Sequence, residues 1–508
     1  MLLIKDIKLK INEEGRLQEK IEKVLGHPIR SFTIRKRSLD ARKEPVYVYS
    51  VAVEVDHEER YLKKKGVSSY HKEDLKAECL ERNETCIIAG YGPSGIFSAW
   101  RLIEAGYHVI VFEKGKRIKE RERDVERFFR EGILDETSNV QFGEGGAGTF
   151  SDAKLTTRLK DPFIDYILDV LIEHGGNEKI RYEHHAHIGT DEIRRIIASI
   201  TDDLIEKGCE FHFSEPVTDL QLNEERKVTA VITDRGRYEC DRFLLGIGHS
   251  AHDTFDLLRT LDVHMEKKDI AVGFRVEHPQ SLINERQTGY RIEEANEYFL
   301  THKDTKGVYS FCMCPGGIVV PAMSEKETVV TNGMSYAARD SGVANSAILI
   351  QVRNNEFADG FDYLRKIEKE AYAYSSSYQA LSQNISDYMN GEIRPLHFAS
   401  TYPLKTVLYD FNQMFTKEEN EILKRAFLDF DRKIPGFIEQ GIMVGPETRS
   451  SCPVRILRNE RMQSINTPGL YPMGEGAGYG GGIVSCALDG IRIANAILSE
   501  YEQVSTGR

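Results

Sequence analysis

The sequence predicts an α/β protein: a mostly parallel sheet flanked by helices from about residue 84, interrupted by a mixed α+β domain and preceded by a small domain of β-α-β-β order. Three observations predict it. A short, wholly apolar run, Cys86-Ile87-Ile88-Ala89, enters the turn Gly90-Tyr91-Gly92-Pro93-Ser94-Gly95 and then a helical pattern, the way a buried parallel strand passes into a helix. A second strand-glycine-helix run lies near the C-terminus, Leu470 to Glu475 followed by Gly476-Ala477-Gly478-Tyr479-Gly480-Gly481-Gly482. The first 80 residues carry 18 Lys and Arg against 14 Asp and Glu, whereas the whole chain stands at −12.

A length of 508 residues suits two or three domains, and 40% hydrophobic with 29% charged residues excludes disorder as the main state. The acidic balance argues against a general nucleic-acid binder, so any anionic ligand must be held locally. No apolar run approaches the roughly 20 residues of a membrane span, and Met1-Leu2-Leu3-Ile4-Lys5-Asp6 meets charge too early for a secretion signal. Eight cysteines, at 79, 86, 209, 240, 312, 314, 452 and 486, are too sparse for a disulfide scaffold and lack paired CxxC spacing. A cytoplasmic protein is expected.

In the first domain, residues 1–80, Leu2 to Ile11, Ser31 to Arg37 and Val46 to Val55 read as strands, and Arg16 to Leu25 reads as a helix closed by Gly26. The basic run Arg35-Lys36-Arg37 with Arg42-Lys43 makes residues 30–43 the place where nucleic acid would bind. The same charges on an exposed edge strand also prevent sheet-to-sheet aggregation, which is the preferred reading. Lys63 to Glu84 is polar and predicts a helix.

The turn after Ala89 has the spacing GxGxxG. Gly90 permits the tight turn, Gly92 lets the backbone approach a pyrophosphate, and Gly95 lets helix and strand pack, while Pro93 and Ser94 open a helix whose free amides face the anion. After Gly106 comes Tyr107-His108-Val109-Ile110-Val111-Phe112-Glu113, a second strand ending in a carboxylate 23 residues beyond Gly90, where a ribose hydroxyl should lie. The unit as a whole predicts adenine-dinucleotide binding.

These residues resemble the glutathione-reductase-like flavoproteins with two dinucleotide-binding domains, and among them the bacterial FAD-dependent dehydrogenases of unassigned substrate, over about residues 84–500. The resemblance implies a Rossmann-like FAD-binding domain in two parts, 84–255 and 445–508, with a substrate domain, 256–444, between them. It places Arg117 near the pyrophosphate and counts Lys114 among the cofactor-binding residues; the rest of the helix to Arg130 reads as a solvated charged face. It brings the glycine-rich run Gln141 to Leu155, with Gly146, Gly148 and Thr149, beside the isoalloxazine and pyrophosphate, although Ala153 stands where the pattern usually has glycine. No Lys-Ser or Lys-Thr follows those glycines, so the run is not a P-loop. Val217 would lie near adenine, Gly246 and Gly248 would let a strand end pass the cofactor, Gly474 and Glu475 would meet the ribityl chain, and the helix start at Gly480, Gly481, Gly482 and Ile483 would point at the flavin pyrimidine edge. The chain ends soon after that helix without a second strand and acid, so the glycines complete one site. One resident FAD is implied, with NAD(P)H left as a transient donor in a less regular site.

The substrate domain carries strand-like runs at Ile270 to Val276, Val308 to Met313, Gly317 to Val320 and Thr328 to Thr331, and helical ones at Ala344 to Val352, Asp362 to Tyr374 and Lys417 to Phe430. Cys312-Met313-Cys314-Pro315-Gly316-Gly317 supplies the candidate catalytic residues, Cys312 and Cys314. They read as a redox pair, as a thiolate-bearing substrate loop, or as two small packed thiols, and on a regular strand a disulfide between them would be strained. His184, His185 and His187 lack a completing ligand set, so no metal is expected. Arg449 and Arg455 stand ready for an anionic substrate or cofactor.

The expected function is that of a FAD-dependent oxidoreductase acting by hydride transfer on an unidentified small molecule. Two rivals remain: a flavin-dependent tRNA-modifying protein, and a non-catalytic flavin-binding redox sensor. The catalytic acid and base are unassigned.

Overall fold

The computed structural model describes residues 1–40, 45–80, 82–183, 186–288 and 295–506. They form two compact units, residues 1–76 with 154–188 and residues 77–153 with 189–508. No helix among the described residues is long and apolar enough to cross a membrane.

The smaller unit is built on an antiparallel sheet in the order Ser31–Asp40, Val46–Glu54, Leu2–Lys10, Val67–Ser69. The helix Leu17–Leu25 buries Leu17, Ile21 and Leu25, spaced four apart, in the core formed with Leu2, Ile4, Val51 and Val53. Gly26, at φ +74°, ends it in the left-handed conformation. The polar stretch expected as a helix from Lys63 to Glu84 forms instead the edge strand Val67–Ser69 and irregular chain to residue 80. The β-branched Val67 finds a partner in Ile4, and that pairing outweighs the helix propensity of the lysines before it. The excursion 154–188, with its helix Phe163–Glu173, also belongs to this unit, although the sequence predicts it in the cofactor-binding part.

The larger unit contains a five-stranded sheet, parallel throughout, in the order Leu470–Pro472, Arg242–Leu245, Thr85–Ala89, His108–Glu113, Glu210–Phe213. The helix Pro93–Glu104 joins Thr85–Ala89 to its neighbour His108–Glu113. The strands before the two glycine turns therefore flank a single strand of the same sheet. The C-terminal helix Ile483–Thr506 packs against Pro93–Glu104, where a Cβ at Gly490 would overlap the Ser94 carbonyl oxygen. A meander of Val217–Leu222, Val228–Thr233 and Arg237–Glu239 stands apart as its own sheet.

Also in the larger unit, seven strands form a mixed sheet in the order Thr301–His302, Val308–Cys314, Val343–Val352, Ile270–Pro279, Ile442–Glu447, Ala380–Asn384, Thr406–Leu408. The run Ala344 to Val352, expected as a helix, is a strand near its centre, buried at every residue from Ala344 to Ile350. A short apolar run does not distinguish a buried strand from a buried helix by periodicity, and here two antiparallel neighbours decided it. The helices Gly360–Ser375 and Lys417–Lys433 pack on the sheet; Thr416 and Glu419 form a reciprocal cap at the start of the second. The strand expected at Thr328 to Thr331 lies three residues later, Thr331–Met334, paired with Ile318–Pro321.

Candidate functional site

The first glycine turn is assembled by close backbone approach. A Cβ at Gly95 would overlap the Gly90 carbonyl oxygen, and one at Gly90 would overlap the carbonyl of Gly246, at the end of the adjacent strand. Gly92 differs: at φ −82° its backbone suits any residue, and a Cβ there would meet only the Gly146 Cα, at 3.8 Å. No side chain caps the helix that starts after Gly92, with Pro93 in its first turn, so its leading amides keep donor capacity for an anion. Ser94 is buried beneath the turn, its Oγ 3.0 Å from where a Gly246 Cβ would stand and 2.7 Å from that of Gly474.

Glu113 is buried and accepts three backbone N–H groups, from Tyr91 at 2.8 Å and from Gly115 and Gly143 at 2.9 Å. An ionised carboxylate has about four acceptor sites, so one is left for a ligand hydroxyl. The same carboxylate ties the first turn to the glycine-rich loop.

The helix Ile118–Glu131 reverses an expectation. Arg117 is half-exposed and donates to Asp202 at 2.7 Å, while Lys114 pairs with Asp253 at 2.8 Å. The buried cation is Arg121, on the apolar face of the helix with Ile118, Val125 and Phe128. Its guanidinium donates to the carbonyls of Asn139 at 2.8 Å, Val140 at 3.0 Å and Glu144 at 2.8 Å, and to Thr149 Oγ1 at 2.7 Å. Burial pulls its pKa down to about 9. The signal was a charged residue at an apolar-face position, where solvent exposure was assumed.

Held in this way, the loop lies against the first turn. Gly145 N donates to Tyr91 O at 2.9 Å, and a Cβ at Gly146 would come within 2.9 Å of Gly92 Cα. At Gly148 it would lie 3.2 Å from Ile483 Cγ1 and 3.9 Å from Pro93 Cγ. Thr149 is enclosed, its hydroxyl donating to Gly146 O at 2.8 Å. Glu144 accepts from Ile118 N at 2.7 Å and so caps the helix. Val217 begins the meander opposite Thr233.

In the C-terminal segment, Gly474 N donates to Asp489 Oδ2 at 2.8 Å, and Asp489 is held by Arg458 at 3.0 Å. Glu475 Oε1 lies 3.2 Å from His249 Nδ1, directly after Gly248, whose carbonyl oxygen a Cβ at Gly476 would overlap. Gly480 lies close against Cys486, whereas a Cβ at Gly481 would meet nothing within 4 Å. The amides of Gly481 and Gly482, which the resemblance aims at the flavin, donate to Ser485 Oγ at 3.3 and 3.0 Å. Arg121, His249, Ser485 and Asp489 were all missed; each acts through a fold contact that linear spacing does not display.

Other candidates are redirected. Arg449 is buried and bonded through Nε and Nη2 to Glu368 at 3.0 and 2.7 Å, so it does not face an anionic substrate. Arg455 is exposed and donates to Gly478 O at 3.3 Å. Within the smaller unit, Arg37 pairs with Glu14 at 3.1 Å and Glu183 at 2.7 Å. Arg35 pairs with Asp165 beside a cavity of about 510 Å³ lined also by Phe32, Tyr70, Lys72 and Tyr182. Arg42, Lys43, His184 and His185 lie outside the described residues; His187 forms a bridge with Lys154. Among the described residues, no group of three or more His, Cys, Asp or Glu is placed to hold a metal.

Residues 269–450 match the family described as FAD-dependent protein, C-terminal domain-like. An uncharacterized protein of Clostridium beijerinckii (strain ATCC 51743 / NCIMB 8052) is 38% identical over 533 residues, covering 98% of this chain and 99% of its own. Among solved structures, the chain is similar to the halogenase PltM, at 12% identity and a TM-score of 0.39 over 84% of this chain and 71% of that one. It is also similar to CtdE in complex with FAD, at 11% identity and a TM-score of 0.32 over 82% and 84% of the two chains. Scores this low decide nothing. The chain belongs to the same family as the clostridial protein and carries the C-terminal domain of FAD-dependent proteins, so its cofactor is FAD.

Proposed function

We propose that the chain is a FAD-dependent oxidoreductase that transfers a hydride between its flavin and a small-molecule substrate, in a Rossmann-like domain divided by the inserted substrate domain. One observation carries the reading: Pro93, Gly148 and Ile483, from three segments far apart in sequence, meet within van der Waals distance of a Cβ at Gly148. The residues fit the cofactor. The helix start after Gly92 is uncapped, Gly92 meets no side chain, and the faces of Gly146 and Gly148 that approach Gly92 and Pro93 carry none.

Bound FAD supplies two-electron chemistry. The amides of Ser94 and Gly95 hold the pyrophosphate, and the remaining acceptor site of Glu113 takes a ribose hydroxyl while its other three keep turn and loop together. Arg121 keeps the loop in place through Asn139, Val140, Glu144 and Thr149. Glu475, beside His249, and the helix start at Ile483 orient the far end of the cofactor. NAD(P)H is the proposed transient donor and the cytoplasm the proposed location.

The test is the absorbance spectrum of the purified protein, chromatography of the ligand released on denaturation, and anaerobic mixing with NADH, NADPH and metabolite pools. One FAD per chain, bleached by a nicotinamide or a metabolite, is expected. A colourless protein that refuses reconstitution defeats the cofactor arrangement. A bound flavin that no donor reduces defeats the oxidoreductase.

A further inference from the structure

The Cys-Met-Cys run does not lie on a regular strand. In the ladder between Val308–Cys314 and Val343–Val352, Phe311 pairs with Ala347 and Cys314 with Asn345, so three steps on one strand face two on the other. The extra residue makes a bulge. Cys312 occupies the left-handed region at φ +47°, which a non-glycine residue adopts only when its surroundings impose it. On a flat strand, residues two apart are separated by about 6.6 Å of rise, well beyond the roughly 3.8 Å between the Cβ atoms of a disulfide. The bulge breaks that spacing: Cys314 Sγ reaches back to donate to Cys312 O at 3.5 Å.

The surroundings are polar and enclosed. Arg275 is fully buried and donates through Nη1 to Cys312 O at 2.7 Å. A Cβ at Gly333 would stand 2.5 Å from Arg275 Nη1, 2.6 Å from Asn345 Oδ1 and 2.8 Å from Cys314 Sγ, so the three groups converge on one point. The Asn345 Nδ2, also fully buried, has no hydrogen-bond partner. The turn that follows reaches the cofactor loop: Gly316 lies against the Arg339 carbonyl, and Arg339 donates to Asp152 at 2.9 Å.

We propose that Cys312 and Cys314 form a thiol–disulfide exchange site for low-molecular-weight disulfides. Cys312, partly exposed, is the entering thiol, and Cys314, with no exposed surface, is the resolving one. Cys312 loses its proton to solvent, and its sulfur attacks one sulfur of a compound R–S–S–R. The substrate S–S bond breaks, and the first R–S⁻ leaves and takes up a proton. Cys314 then gives up its proton and attacks the Cys312 sulfur. The Cys312–Cys314 bond forms as the second R–S⁻ departs and is protonated. The pair is oxidised by two electrons and the compound is reduced to two thiols. The hydrogen bond with Cys312 and then burial hold the Cys314 thiol well above the ordinary cysteine range.

The experiment treats the reduced full-length protein with oxidised glutathione, quenches with acid, alkylates, and maps the peptide containing residues 308–317 by mass. The expected result is an unalkylated peptide lacking two hydrogens, while the exposed Cys79 takes an adduct without closing a ring. Cys314→Ser should accumulate glutathione on Cys312. In untreated protein, Cys314 should alkylate at least about tenfold more slowly than Cys312. Two alkylatable thiols after treatment, or equal alkylation rates in the folded protein, overturn the proposal. The mapping needs no flavin, so a colourless protein that closes this disulfide contradicts the proposed function alone, and a yellow one that does not contradicts this inference alone.

Discussion

Replacing Gly92 by Ala separates a ligand effect from a folding effect. At φ −82° and ψ −173° alanine is unstrained, and its methyl would find only Gly146 Cα, at an ordinary 3.8 Å. Removing glycine's freedom from the unfolded chain should stabilise the apoprotein by about 0.4–1 kcal/mol. If the amides of Ser94 and Gly95 hold the pyrophosphate as proposed, the methyl would stand in its way, so FAD should bind at least about tenfold more weakly, a loss of about 1.4 kcal/mol. Gly95→Ala is the contrast. Its methyl would overlap the Gly90 carbonyl oxygen and stand 3.2 Å from the carbonyl carbon, so strand and helix must separate. Overpacking of this kind costs about 1–3 kcal/mol with or without ligand. Thermal midpoints of the two apoproteins and FAD titrations followed by flavin fluorescence measure both effects. A Gly92→Ala protein as stable as the parent that binds FAD as tightly would refute the reasoning, because it would show that no phosphate approaches this turn.

Arg121→Met removes a guanidinium that three carbonyls and a hydroxyl accept from; it should destabilise the larger unit by about 3–5 kcal/mol and weaken FAD retention, read by urea unfolding and by gel filtration of the holoprotein. Glu113→Gln puts an amide donor in place of one oxygen, facing the Tyr91 N–H in the better orientation and the Gly115 and Gly143 N–H groups in the other, and should lower the thermal midpoint of the apoprotein as well as the affinity for FAD. A lower affinity with an unchanged apoprotein midpoint would count against its role as a tie. Burial brings His278, whose Nε2 donates to Phe437 O at 2.8 Å, down to a pKa of about 4. The unfolded chain takes up that proton near pH 6.5 and the folded chain only near 4. The resulting stability, about 3 kcal/mol, is present at neutral pH and lost as pH falls through that window. In His278→Leu, urea unfolding across this range should lose that component of the pH slope.

The parallel sheet and its glycine turns were the most readable part of the chain. Strand, glycine turn, helix, strand and terminal acid depend on local chemistry, because a tight turn and a bare helix start demand glycine at set intervals. Neighbouring residues were therefore enough to place Gly90, Gly92 and Gly95 in a turn between strand and helix and Glu113 at the end of the next strand. The C-terminal glycines were legible for the same reason. Arg121 was not, because a charged residue on a helix is ordinarily solvated, and only the packing of the loop on that helix buries it. The same gap hid the strand Val343–Val352, which pairs with partners on both sides, one of them more than 60 residues earlier.

By itself, then, the order of residues determined where backbone must come close to backbone and where a helix starts with uncapped amides, since both follow from side chains being absent over a few consecutive positions. Only the tertiary structure decided which charges are buried, which glycine loop meets which turn, and that Cys312 and Cys314 share a bulge. Those outcomes are long-range encounters, set by sheet register and burial, and distance along the chain does not encode them.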